Sequence, residues 1–155
     1  MARGDFLLFN AFALDLADGV HNLETGVLKL ALIDNVITPT QADATPQWGA
    51  GSGIDYDGHQ VAEFVGGYVT GGVTISGPET NQAAAVTTLD DDDSNIQLTQ
   101  NAAGFDDAYW GILYNDSATN KECIGYLDLG GPVSQVAGPI NINWNASGIL
   151  TITRS

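Results

Sequence analysis

The stretch Val27-Leu28-Lys29-Leu30-Ala31-Leu32-Ile33 decides the fold class. Leu28, Leu30 and Leu32 recur at every second position, the period of a strand whose alternate side chains meet one apolar face. Asp34-Asn35 closes the run with turn-forming residues. A half-buried β-strand is therefore expected here, and the question becomes what surrounds it.

Upstream the period changes. Phe9, Phe12, Ala13, Leu16 and Val20 fall on one face of a 3.6-residue repeat, which predicts a helix over residues 5–17. Asp5 is placed to cap its start and Gly19 to follow its end. The opposite side, with Leu7, Ala11 and Leu14, is also apolar, so the helix is covered on two sides or meets another subunit. His21, just beyond, is positioned to satisfy terminal helix carbonyls.

Downstream the pattern is strand after strand. Residues 67–76 alternate around Gly71-Gly72, a bulge or turn. Further runs lie at 83–89, 95–99, 108–114, 122–129, 139–144 and 148–153. Asn115-Asp116, Gly130-Gly131-Pro132 and Asn145-Ala146-Ser147-Gly148 supply turns between them. Residues 38–53, punctuated by Pro39, Pro46 and several glycines, read as a long surface loop. Trp48 within it is either a plug on the core or a contact residue. The whole predicts one domain over 1–155, mainly β. Its form is an antiparallel β-sandwich or barrel-like sheet with one N-terminal α-helix and strands from residue 26 onward.

Composition narrows function. Nineteen acidic residues face four basic ones (Arg3, Lys29, Lys121, Arg154), a net charge of −15 that opposes approach to nucleic acid. Charged residues are only 15% of the chain, below the roughly 25% of typical soluble proteins, which suits packing against copies or a partner. The apolar N-terminal run, broken by Asn10 and followed by Asp15 and Asp18, does not read as a signal peptide, and no run is long enough to span a membrane. Lone Cys123 reads as a small buried apolar residue and implies no disulfide or oxidising compartment.

The candidate sites are weak. Asp91, Asp93 and Asn95 have the spacing that opens a calcium loop. However, Ile96 replaces the turn glycine and Ala102 replaces the closing glutamate, so a solvated acidic turn competes with a metal site. Asp55-Tyr56-Asp57-Gly58 is a shorter version of the same idea. Glu63, Glu79, Asp106, Asp107 and Asp128 are the carboxylates a glycosidase pair would draw on, and no spacing singles out two of them. His21 and His59 belong to no nucleophilic triad. No cofactor is expected, nor any catalytic residue.

Several stretches taken in order resemble a known family. They are Phe12 to Leu23 leading into Leu28 to Ile33, then Gly66 to Val73, Tyr109 to Asp116, Tyr126 to Gly131, and Trp144 to Leu150. This order resembles small tailed-phage and prophage virion proteins that look like capsid decoration (cement) proteins. The resemblance implies a non-enzymatic protein made in the host bacterial cytoplasm. It would bind the outer surface of the assembled head, contact the major capsid protein and pair with itself, commonly as a homotrimer. Arg3, Phe6 and Phe9 then become candidate subunit or capsid contacts, from a scarce positive charge and an over-apolar terminus. A tail or fibre component recognising a host glycan and an acidic carbohydrate-active enzyme remain the alternatives.

Overall fold

A computed structural model describes residues 3–63, 67–91 and 95–153. In chain order its elements are β1 (Phe6–Leu8), α1 (Phe12–Ala17), β2 (Leu28–Ile33), β3 (Pro46–Gln47), β4 (Ile54–Asp55), β5 (Val73–Thr74) and β6 (Glu79–Ala83). There follow β7 (Val86–Asp90), β8 (Asn95–Leu98), β9 (Ala108–Asn115), β10 (Cys123–Val133), β11 (Ile140–Asn143) and β12 (Leu150–Thr153). The protein is mainly β, with several antiparallel sheets and a single short N-terminal helix, and its sheets do not close into a barrel.

The central sheet runs β1-β10-β9-β2-β5, every neighbour antiparallel. β2 sits second from one end, and both of its faces are covered. Leu28, Leu30 and Leu32 enter one apolar cluster with Leu113, Ile124 and Leu127. Ala31 and Ile33 enter a second cluster on the other face with Trp48, Tyr56, Tyr114 and Tyr126. The expected half-buried strand is in fact buried on both sides, because the loop after β2 folds back over it. Trp48 is the plug: it is 2% exposed and stacks on Tyr114 with ring centroids 5.0 Å apart. That loop also holds β3 and β4, a short parallel pair.

The first cluster is closed by a second layer. β8 pairs with β11, and β7 pairs with β12. Asn95 opposite Asn143 ends one ladder and Leu89 opposite Leu150 begins the other, with a slip of one residue between them. The two ladders therefore follow one another along the same pair of chain segments. Leu89, Ile96, Leu98, Ile140, Ile142 and Leu150 from these strands, with Ile149 just ahead of β12, pack into the first cluster. β6 adds to β7 beyond, through the two-residue turn Ala84-Ala85. That end of the layer is largely exposed on both faces.

Three expectations need correction. The helix covers only Phe12–Ala17; Phe6–Leu8 is instead an edge strand on β10, and no side chain caps the helix at Ala11. Long-range pairing wins over helical periodicity here because it buries Phe9 between Tyr56 and Tyr126 and satisfies the Phe9 N–H on the Ile124 carbonyl. Strand β6 was not foreseen: Glu79-Thr80-Asn81-Gln82-Ala83 has no apolar alternation to announce it. Gly130-Gly131-Pro132, expected as a turn, lies inside β10 as an irregularity, since both glycines at positive φ let the strand shift register against β9.

Candidate functional site

A groove of about 800 Å³ opens on one side of the molecule. One wall is the run Arg3-Gly4-Asp5-Phe6-Leu7 and the other is Pro139 through Asn145; Leu127, Leu129, Val133 and Ile149 also line it. A smaller recess of about 430 Å³ shares Phe6, Asn145, Gly148 and Ile149 with it and continues along Leu8 and Leu150-Thr151. Each wall includes residues of a border strand, Phe6-Leu7 of β1 on the central sheet and Ile140–Asn143 of β11 on its two-stranded ladder. Phe6 and Trp144 meet across it edge to face, centroids 6.0 Å apart. The Trp144 Nε1 is buried with no hydrogen-bond partner.

The local sequence explains this shape. Gly125 leaves room for the Phe6 ring, since a Cβ there would lie 2.6 Å from it. Gly130, at φ +79°, likewise leaves room for the Arg3 stem, which a Cβ would meet at 2.7 Å. Asp5 and Asp128 share the Arg3 end, where the Asp128 N–H donates to the Asp5 carbonyl. The Asp128 carboxylate accepts the Gly130 N–H at 2.7 Å. Between Asp128 and Arg154 the sequence carries no charged residue, so one wall of the groove is uncharged and the other is charged only at one end.

Of the candidate contacts, Arg3 and Phe6 line the groove, whereas Phe9 is buried inside the second core cluster and has no surface to offer. Of the carboxylates, Asp128 is in the groove, while Asp106 and Asp107 sit exposed ahead of β9 and do not line it. Glu63 accepts the Thr70 N–H and hydroxyl, and exposed Glu79 opens β6. The structure does not gather these acids into one site.

The calcium candidate cannot be assembled here: Asp93 lies outside the described residues, Asp91 follows β7 and Asn95 opens β8 opposite Asn143. Asp55 is a loop organiser, accepting the N–H groups of Gly49 and Asp57. His21 does not satisfy helix carbonyls; neither ring nitrogen has a hydrogen-bond partner, and the ring stacks on Phe12. His59 stands 3.8 Å from Asp34. Cys123 is fully buried, and that burial pushes its thiol well above the ordinary value, which keeps it unreactive. Two of the four basic residues, Lys29 and Lys121, both clasp Asp116, at 2.8 and 3.1 Å.

Sequence reasoning missed Trp144 and the β11 edge as parts of a site. The charge-free run after Asp128 was the available signal. Compared with known proteins, the chain matches no family model, no curated protein and no solved structure. No helix among the described residues is long and apolar enough to cross a membrane.

Proposed function

We propose that this chain is a phage virion structural protein, a capsid decoration protein that binds the outside of an assembled head and stabilises contacts between neighbouring capsomers. One observation carries the reading. In a chain of net charge −15, the stretch from Leu129 to Thr153 has no charge, lines the groove of about 800 Å³ and carries two border strands, β11 and β12. Charge repels an acidic protein from copies of itself and from nucleic acid, so an uncharged face with open backbone groups is where a protein partner is accepted. Binding only the mature shell would stabilise that shell by mass action. In this reading the protein has no enzymatic role, its partners are the major capsid protein and further copies of itself, as a trimer, and its place is the outer head surface.

Adding recombinant protein to undecorated heads tests this directly. Saturable binding at copies on the order of hundreds per particle, with heads made more resistant to heat, is the expected result. A handful of copies at the tail would move the protein to the fibre reading. Failure to bind heads at all would end the decoration reading.

A further inference from the structure

We infer that residues 11–26 form a flap that opens as one unit when His21 takes up a proton, so that the fold carries an acid-released latch. The attachment of the segment comes first. Among the described residues, every backbone–backbone hydrogen bond made from Ala11 to Gly26 stays inside the segment, apart from the Phe12 N–H, which donates to the nearby Phe9 carbonyl. α1 and the turns behind it therefore belong to no sheet. Two side-chain bonds tie the segment to the rest of the molecule. The Asn115 amide donates to the Val20 carbonyl at 3.4 Å, and the Thr80 hydroxyl donates to the Glu24 carboxylate at 3.1 Å. The remaining attachment is burial. Phe12, His21 and Leu23 are buried, and Leu16 packs part-way against the first cluster. A segment held by so few side chains and no ladder opens below the free energy of global unfolding.

One of those three buried anchors is a base. The His21 side chain has no exposed surface, its ring stacks on Phe12 with centroids 5.6 Å apart, and neither nitrogen has a hydrogen-bond partner. Two carboxylates face it, Asp15 from α1 and Glu122 from the residue ahead of β10, while from β9 the neutral Asn115 reaches the adjoining Val20. Asp15 stands 4.0 Å from Nε2, beyond hydrogen-bond reach. The Glu122 carboxylate already accepts the backbone and side-chain N–H groups of Asn120. A proton on the ring thus adds a second N–H donor and a charge where no acceptor is placed for either donor.

Burial outweighs the attraction of Glu122 and holds the closed imidazole below its ordinary value. With the flap open the ring reaches water and titrates normally, so acid favours the open form. Asp15 works against this. Burial first, then Glu122 and Asp18, hold its carboxyl above the usual range, so its own protonation favours the closed form. Opening lifts Phe12, Leu16 and Leu23 off the first cluster and uncovers apolar surface that the closed molecule hides. The ladders of β2, β9 and β10 survive it, since the flap contributes to none of them.

Native-state hydrogen exchange on the whole protein tests the latch, with rates corrected for the pH dependence of the chemical step. The N–H groups of Asp15, Asp18, Val20 and Gly26, all bonded inside the flap, report on it. At pH 7.5 they should share one protection factor, at least tenfold lower than that of the amides of β9 and β10. By pH 5.5 it should fall about tenfold more, the ratio for one group that titrates near 6.5 only in the open form. His21→Phe and His21→Gln should both remove that pH step. Flap amides that open only together with β9 and β10 would overturn the inference, because no separate unit then exists. So would a separate opening with equal protection at both pH values, or a pH step that survives in both variants. Head binding enters none of these outcomes, so the latch and the decoration reading stand or fall separately.

Discussion

His21 shows how one side chain sets a pH dependence. It is 5% exposed, stacked on Phe12 at 5.6 Å, with the Asp15 carboxylate 4.0 Å away. Burial pushes its imidazole below the ordinary value, against the opposing pull of the Glu122 carboxylate. The unfolded chain takes up this proton near an ordinary pH of about 6.5, and the folded chain only below that. The unfolded state binds more protons in that window, so this contribution to stability is complete above it and falls as pH drops through it. Denaturant unfolding at pH 7.5 and pH 5.5 should show the loss, and His21→Phe should flatten it. Because both ring nitrogens are unsatisfied, the same variant should be more stable by about 1 kcal/mol at pH 7.5. An equally steep pH slope in the variant would remove His21 from the account. Asp116 acts in the opposite sense: burial would raise its carboxyl, but hydrogen bonds from Lys29 and Lys121 win and hold it below the usual range. Its contribution is present above the ordinary carboxylate range and is lost as pH falls through and below it.

At the scale of elements, two turns carry the clearest consequences. The β6–β7 hairpin turns through Ala84-Ala85, with Ala84 at φ +54°, a region that costs a residue with a Cβ roughly 1–2 kcal/mol. Ala84→Gly should raise stability by about 1 kcal/mol, read as a higher unfolding midpoint at unchanged denaturant slope. Gly72 is the reverse case. It leads into β5 at φ +83°, and a Cβ there would lie 2.2 Å from the Leu30 carbonyl oxygen. Gly72→Ala should therefore cost more than about 2 kcal/mol, since both strain and a backbone clash must be relieved. The same contrast between local and distant causes explains what could be read from the chain. β2, β8, β9, β11, β12 and most of β10 were legible because each alternates apolar residues for one layer or fills a buried run. β1 was not, since Phe6-Leu7-Leu8-Phe9 fits both periods and only its pairing with β10 decides. β6 was not, because its residues are mostly exposed on both faces. The groove was the least legible part. Arg3 and Phe6 could be singled out as unusual, but an open strand edge is a property of sheet order, which the sequence does not print.

The whole molecule joins strong like charge to uncharged faces. A net charge of −15 makes the compact state repel itself, and it repels every approaching copy. Yet from Thr80 to Leu89 there is no charged residue either, so most of β6 and β7, with β12, form an exposed uncharged end with β6 and β12 as its borders. Ile152 is 36% exposed on it. Copies can meet there once long-range repulsion is shortened. The Debye length falls from about 30 Å at 0.01 M salt to about 8 Å at 0.15 M. The thermal midpoint should thus rise as sodium chloride is raised over that range. In sedimentation velocity the protein should be a monomer at the low value and an oligomer at the high one. Gln82→Asp, on exposed β6, places new charge on this end and should hold the protein monomeric at 0.15 M while shifting stability by no more than about 0.5 kcal/mol. Association that ignores salt, or that survives the Gln82 substitution, would show that copies meet elsewhere. The trimer of the decoration reading would then need a different face from this one.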